Sequence, residues 1–277
     1  MSGEKDEILS NEELRSLTLA IKNKYGIDFT NYESKSLKRG FGRLLMRKKL
    51  NSILELWSKI LRDRDFFMGC IDELTVNLTE LFRNPEIWIK LRDDILPLYK
   101  SKYKLNIWHA GCSSGEEVYT MAIVLKELQM LRRTKALATD LSSKILRQAR
   151  EGSYSGMLMH KYSNTFSKYI LNGKLEDNFN YKEDVALIKD EFRKHVEFKQ
   201  HNLVQDGMDQ KFDIILCRNV MIYFDDELKQ KVLKLFYDSL DDDGFFIIGY
   251  YDMLPYESKE LFEVYDSKTR VYKKIKR

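Results

Sequence analysis

The run Lys211 to Gly249, KFDIILCRNVMIYFDDELKQKVLKLFYDSLDDDGFFIIG, leaves few folds open to the chain that carries it. Phe212 to Cys217 is a short apolar run of the kind that a strand covered on both faces requires. Asp225 and Asp226 are placed to cap a helix in which Leu228, Val232, Leu235 and Phe236 recur at i, i+4, i+7 and i+8 and so share one face. Asp241, Asp242, Asp243 and Gly244 read as a turn, and Phe245 to Ile248 as a second buried strand. Strand, helix, strand is a βαβ unit, which predicts an α/β fold. Arg218 and Asn219 follow the first strand at its carboxyl end, where open α/β sheets bind ligands.

A chain of 277 residues has room for one large domain or two ordinary ones. With 43% hydrophobic and 32% charged residues and three prolines, it reads as a soluble globular protein. No apolar run approaches the roughly 18 residues of a membrane span, and the opening MSGEKDEILSNEEL is polar and acidic, so neither membrane insertion nor a signal peptide is expected. Cys70, Cys112 and Cys217 are odd in number and far apart, which argues for a reducing cytoplasm. His109, His160, His195 and His201 show no metal-ligand spacing, and no metal site is expected. A net charge of +4 is too mild to name a partner.

Residues 1–95 read as helical. Ser10 with Glu13 makes a capping box ahead of Leu14, Leu17 and Ile21, and Tyr25-Gly26 ends that helix. Ser34 to Leu50 is a second helix with Leu37, Phe41, Leu44 and Leu45 on its apolar face. Lys35, Arg39, Arg43 and Arg47 recur at i+4 on another face. That stripe is either a solvated surface or a docking surface for an acidic partner. Nucleic acid is disfavoured because no aromatic residues interleave with the cations. Ile53 to Leu61 and Phe66 to Leu74 continue the helical pattern; Asn77, Thr79 and Arg83 then precede Pro85, and Ile87 to Tyr99 reads as a helix.

From residue 96 the rhythm changes. Leu105 to Ala110 is a strand running into Gly111-Cys112-Ser113-Ser114-Gly115-Glu116-Glu117 and a helix to about Leu131. Strand, glycine turn and helix is the start of a nucleotide-cofactor fold. The spacing is not GxGxxG, however, and Glu116 and Glu117 would repel a pyrophosphate; the turn suits a cationic ligand or one rich in hydroxyl and amine donors. Ala136 to Thr139 is the second strand, and Asp140 at its end is placed to accept hydrogen bonds from ribose hydroxyls. Ser142 caps the next helix. Residues 153–193 break the βα pattern: Phe166 to Leu171 and Val185 to Ile188 read as two strands about a polar turn, a small antiparallel insertion. His195 to Lys199 resumes the main sheet and ends at His201-Asn202-Leu203. Leu261 to Tyr265 and Arg270 to Lys274 form a closing hairpin.

These blocks together resemble a family. Asn77-Leu78-Thr79 with Phe82-Arg83, the run Trp108 to Tyr119, Ala138-Thr139-Asp140, Asn202-Leu203, and Cys217 to Asp225 are similar, in that order, to the chemotaxis receptor methyltransferases. These are the CheR family of S-adenosylmethionine-dependent protein-glutamate O-methyltransferases. The resemblance implies an all-α N-terminal domain (1–95) and a Rossmann-like methyltransferase domain (96–277) with an antiparallel β-subdomain (153–193) inserted. It implies that Asn77, Thr79 and Arg83 contact the cofactor from the N-terminal side, that Gly111 is among the cofactor-binding residues, that Glu117, with Glu116 adjacent, meets the methionine part or its surroundings, that Asp140 holds the ribose, and that Asn202 and Leu203 lie at the adenine region. Arg218, Asn219 and Tyr223 would line the transfer centre, with Tyr223, Arg83 and Asn219 as the catalytic group.

The chemistry implied is a glutamate carboxylate, with an ordinary pKa of about 4.3, attacking a sulfonium methyl without a general base and leaving S-adenosylhomocysteine. Tyr223 would place the carboxylate or face the sulfonium, a contact of ~0.5–2 kcal/mol; whether Arg83 serves cofactor or substrate stays open. The implied partners are the cytoplasmic methylation helices of transmembrane chemoreceptors, docked on Lys35, Arg39, Arg43 and Arg47 by a monomeric enzyme. Val118 stands where many members have proline, and Tyr250-Tyr251-Asp252 where many have His-Ser-Glu. The insertion lacks the paired glycines of members that bind a receptor's C-terminal pentapeptide, which argues against such a tether. Two alternatives remain at this level: a methyltransferase of the same fold with another substrate, and a non-catalytic S-adenosylmethionine-binding signalling module.

Overall fold

Helix α1 (Asn11–Tyr25) starts where the capping box predicts: the Ser10 N–H donates to Glu13 Oε2 at 2.8 Å and the Glu13 N–H to Ser10 Oγ at 3.2 Å. The computed structural model describes residues 9–25, 27–74, 79–169 and 173–276. Its chain divides into two units, 1–77 with 222–231 and 78–221 with 232–277.

The first unit is built from α1, α2 (Ser34–Lys48), α3 (Ile53–Arg62) and α4 (Arg64–Leu74). Their 3.6-residue patterns converge: Leu17 and Ile21 of α1, Leu37, Phe41 and Leu44 of α2, Leu56 and Ile60 of α3, and Phe67 and Ile71 of α4 are all buried. Tyr25 stacks on Phe67 at 4.6 Å between centroids and donates its hydroxyl to the Ile60 carbonyl. The segment 222–225 belongs here too. Tyr32 and Phe224 form a bridge with their rings edge to face, the Glu33 N–H donates to the Tyr223 carbonyl at 2.8 Å, and the Asp225 N–H to the Asn31 carbonyl at 2.9 Å.

The second unit opens with α5 (Pro85–Lys90), which passes into a π turn at Leu91–Ile95 and a 3-10 turn at Leu96–Tyr99. One regular helix to Tyr99 was expected; Pro97 has no N–H to continue the α ladder. The division between units also falls at Leu78 and not near residue 95, because Leu81, Phe82, Trp88, Leu91 and Ile95 are buried in the core around the sheet. The alternating elements follow as β1 (Leu105–Ala110), α6 (Glu116–Glu127), β2 (Thr134–Asp140), α7 (Ser143–Glu151), β3 (Ser153–Ser155), α8 (Gly156–Phe166), β4 (Phe179–Lys182), β5 (Val185–Ile188), α9 (Asp190–Arg193) and β6 (Val196–Gln200). Then come β7 (Phe212–Cys217), α10 (Asp226–Ser239), β8 (Leu240–Ile248), β9 (Phe262–Asp266) and β10 (Val271–Lys274).

The main sheet has the order β6-β2-β1-β7-β8-β10-β9. Its first five strands are mutually parallel, and β10 runs antiparallel between β8 and β9. Strand β7 is buried at all six positions, as an apolar run covered on both faces should be. Its one acid, Asp213, pairs with Lys102 and accepts the Asn106 N–H at 2.7 Å. Chain order reverses between β1 and β7, the topological switch point at which such sheets open a crevice.

Three details depart from the sequence reading. Helix α6 stops at Glu127 rather than near Leu131, because Gln129 takes a left-handed conformation (φ 57°). The segment Asp241–Gly244 is a bulge inside β8, not a separate turn: the register on β7 steps from Phe212 to Ile214 while β8 steps from Leu240 to Phe245. In the insertion, Phe166 closes α8 instead of opening a strand, and residues 170–172 lie outside the described residues. The antiparallel partner of β5 is β4, inside the stretch read as a polar turn, and β3 pairs on the other side of β5 to give the order β3-β5-β4.

Candidate functional site at the switch point

The crevice between β1 and β7 is shaped by backbone before side chains enter. Gly111 leaves β1 with φ 79°, and a Cβ built there would meet Val220 Cγ2 at 2.4 Å, so only glycine lets the two loops close on each other. The Gly111 and Cys112 N–H groups both donate to the Thr139 carbonyl at 2.8 Å, tying the turn to the end of β2. Asp140, half-buried, accepts the Ser113 N–H at 2.9 Å and the Ser142 N–H at 3.0 Å. Its carboxylate therefore organises both the glycine turn and the start of α7.

Glu117 and Arg218 form the buried ionic centre. Arg218 Nη1 donates to Glu117 Oε2 at 3.2 Å, and Arg218 Nη2 to the Arg83 carbonyl and to Asn84 Oδ1, both at 3.0 Å. The guanidinium lies 5.4 Å from the Trp88 ring centroid, a cation–π geometry. The other oxygen of Glu117 lies 2.9 Å from His109 Nδ1. Burial alone would push Glu117 up; the His109 bond and the Arg218 charge outweigh it and hold the carboxyl below its usual range. Glu116 is the opposite case. Burial pushes its carboxyl up, against hydrogen bonds from Ser114 at 2.7 Å and Tyr162 at 3.1 Å. Adjacent in sequence, the two glutamates therefore sit in opposite electrostatic environments.

Asn219 adopts a left-handed conformation (φ 60°), which asparagine tolerates. Its N–H donates at 2.6 Å to Asp252 Oδ2, which also accepts the Gly249 N–H at 2.8 Å. A Cβ at Gly249 would lie 2.6 Å from the Asn219 nitrogen, so glycine is required there by proximity. Asp252 is fully buried and clamps the end of β7 to the end of β8.

Of the residues expected in the site, Arg83, Glu117 and Arg218 are brought into one network, and Gly111 packs on Val220, next to Asn219. Asp140 joins them through the glycine turn. The loop after β6 reaches Asp140 through the His201 N–H, which donates to the Asp140 carbonyl at 3.1 Å. Asn202 turns its amide into that loop, accepting the Val204 N–H and donating to Gln205, beside half-exposed Leu203. Glu116 meets α8 through Tyr162 and the turn through Ser114. Thr79 is half-buried, and Asn77 lies outside the described residues. Tyr223 belongs to the first unit, at the end of the short 3-10 turn Met221–Tyr223. Lys35 and Arg39 are exposed on α2, as is Arg47, with Arg43 half-buried. Reading the sequence missed His109, Asn84, Trp88 and Asp252; only Asp252 carried a signal, as the acid three residues after Gly249. Among the described residues no group of three or more His, Cys, Asp or Glu could hold a metal ion.

A turn that admits a ligand's close approach, with two carboxylates at its rim, fits a ligand with hydroxyl donors and a positive charge. Comparison with known proteins bears on which. Residues 12–75 match the family model of the CheR methyltransferase all-alpha domain, and residues 77–271 that of its SAM binding domain. A Pseudomonas putida protein described as a methyltransferase, Cher3, is 34% identical over 266 residues, covering 95% of this chain and 96% of that protein. A chemotaxis protein methyltransferase of Listeria innocua is 33% identical over 234 residues, covering 84% and 86%. One of Borreliella burgdorferi is 31% identical over 256 residues, covering 87% and 88%.

Proposed function

The chain belongs to the CheR family of S-adenosylmethionine-binding methyltransferases, and from that premise we propose that it methylates glutamate side chains of chemoreceptors in the cytoplasm, forming glutamate methyl esters. The observation that supports this reading most is the pairing of the Gly111 turn with Asp140 at the switch point. When bound, S-adenosylmethionine supplies a methyl group on a sulfonium, electrophilic enough for an ionised carboxylate to take it without a base. The protein's share is then binding, orientation and exclusion of water.

Asp140 holds the ribose hydroxyls, the Gly111 turn admits the methionine part, and the loop at Asn202 and Leu203 borders the adenine. Asn77 and Thr79 add contacts from the N-terminal side. Arg83, Asn219 and Tyr223 position the acceptor carboxylate. Glu117 acts through Arg218, whose guanidinium it fixes, and is a positioning residue. The exposed cations of α2 meet the acidic methylation helices of the receptor. Among the described residues no helix is long and apolar enough to cross a membrane.

The decisive assay is transfer of radiolabelled methyl to receptor-bearing membranes; label released by mild base marks a carboxyl methyl ester, and base-stable label would assign another acceptor. Calorimetry with S-adenosylhomocysteine tests the binding half. Asp140→Ala should weaken binding ~10–150-fold, the equivalent of one or two charge-assisted hydrogen bonds. Asp140→Asn, which keeps an acceptor for Ser113, should lose less. Equal affinity in all three proteins would remove Asp140 from the ribose. For the docking face, Arg39→Glu with Arg43→Glu should raise the receptor KM and leave S-adenosylhomocysteine binding unchanged; a KM equal to wild type would return the stripe to the solvent.

A further inference from the structure

A second pocket, of about 390 Å3, opens on the other side of the switch point. It lies where β8 ends and β9 turns into β10, and the start of α5 forms its rim. A volume of this order accommodates a side chain with its flanking peptide. The sheet order separates it from the candidate cofactor residues. Gly111, Asp140 and Asn202 follow β1, β2 and β6, whereas the pocket follows β8 and the hairpin beyond it. Arg218, at the end of β7, stands between the two and lines the pocket wall.

The lining is cationic and aromatic. Of its ionic side chains, Arg218, Lys268 and Arg270 are cations and Glu86 is the acid. Arg218 is already balanced by Glu117, whereas Lys268 and Arg270 have no ion-pair partner among the described residues. Arg270 holds its guanidinium 6.0 Å from the Tyr250 ring centroid, from a left-handed backbone (φ 58°) that fixes its direction. Tyr250 and Tyr251 meet edge to face at 5.3 Å and remain 56% and 73% exposed. Two large exposed rings beside two unpaired cations make an amphipathic surface, apolar enough to hold a peptide and charged to select its carboxylates.

Building on the function proposed above, we infer that this pocket is the subsite for the acceptor's own flanking sequence: it receives an acidic residue next to the glutamate that is methylated. Tyr250, Tyr251, Lys268 and Arg270 then determine which glutamates are chosen. The cofactor side and the acceptor side meet at Arg218 and Asn219, and the pocket needs no share in the transfer itself.

The test uses the full-length protein, receptor-bearing membranes from the cells that make it, and labelled S-adenosylmethionine. Lys268→Glu and Tyr251→Ala, both at exposed positions, should each raise the receptor KM about fivefold, with kcat unchanged. Both should bind S-adenosylhomocysteine as wild type does. An unchanged KM overturns the subsite while leaving the proposed function standing. Weaker S-adenosylhomocysteine binding in Lys268→Glu also overturns it, since the pocket would then serve the cofactor. Wild-type protein that yields no base-labile methyl overturns the proposed function, and the subsite with it.

Discussion

Glu117→Gln is expected to destabilise the protein by ~3–5 kcal/mol, the cost of stripping one partner from a buried ion pair. The Arg218 guanidinium, its side chain 4% exposed, would be left without its carboxylate, held by the Arg83 carbonyl, Asn84 and the Trp88 ring. The glutamine oxygen can still accept from Arg218 or from His109 but not as a charge, so Glu117→Ala should lie at the upper end of the range. Equilibrium denaturation at neutral pH measures both. The pH dependence distinguishes this cause from simple loss of packing. The His109 bond and the Arg218 charge, outweighing burial, depress the folded-state pKa of Glu117. Its contribution is therefore present above the ordinary glutamate range and is lost as the pH falls through the folded value. The gap between wild type and Glu117→Gln should accordingly narrow in acid.

Glu116 serves as the internal control, because its sign is reversed. Burial raises its folded-state pKa, so wild type loses stability as the pH rises from the ordinary glutamate range through the raised value. Glu116→Gln should gain on wild type across that window; its amide oxygen accepts from Tyr162 as before, and its amide nitrogen donates to the Ser114 hydroxyl in place of accepting from it. Identical pH profiles for the two variants would refute the assignment of opposite environments to adjacent residues.

The contrast between these two glutamates also marks where sequence reasoning stops. The alternating strands and helices were legible because periodicity and caps are local: the Ser10–Glu13 box, the Asp225 cap on α10, the buried run of β7 and the glycine turn after β1 all appear where the residue pattern puts them. That Glu116 and Glu117 both follow the glycine turn was equally legible. Which of them meets an arginine was not, because Arg218 follows another strand, 101 residues away. The insertion failed for a related reason. Phe166 to Leu171 is apolar enough for a strand, but α8 runs to Phe166 and a turn follows it, from which Tyr169 donates to Glu127 on α6. The pairing of β5 with β4 is a tertiary choice that short polar strands do not announce. Within the site, Asp140 was legible as the acid ending β2, but its grip on the Ser113 N–H was not.

Asp252 is the residue whose removal should do the most damage without touching any ligand. Asp252→Ala leaves the N–H groups of Asn219 and Gly249 without the oxygen they share, at ~1–3 kcal/mol for each buried donor left unmade. A total of ~2–6 kcal/mol should appear in equilibrium denaturation. Asp252→Asn, which retains a neutral oxygen acceptor, should lose less, and its remaining deficit against wild type isolates the charge-assisted part. The functional effect follows from geometry. Asn219 holds its left-handed backbone between Arg218 and Val220, and Val220 is the side chain that closes on Gly111. Releasing Asn219 should therefore loosen the glycine turn on the far strand, so that S-adenosylhomocysteine binding weakens together with stability. Gly249→Ala approaches the same joint from the other side, by driving a Cβ to within 2.6 Å of the Asn219 nitrogen, and should reproduce the loss of binding with the Asp252 carboxylate still in place. If Asp252→Ala unfolds at the same denaturant concentration as wild type, or if it loses stability while binding S-adenosylhomocysteine unchanged, the clamp does not carry the switch point as described.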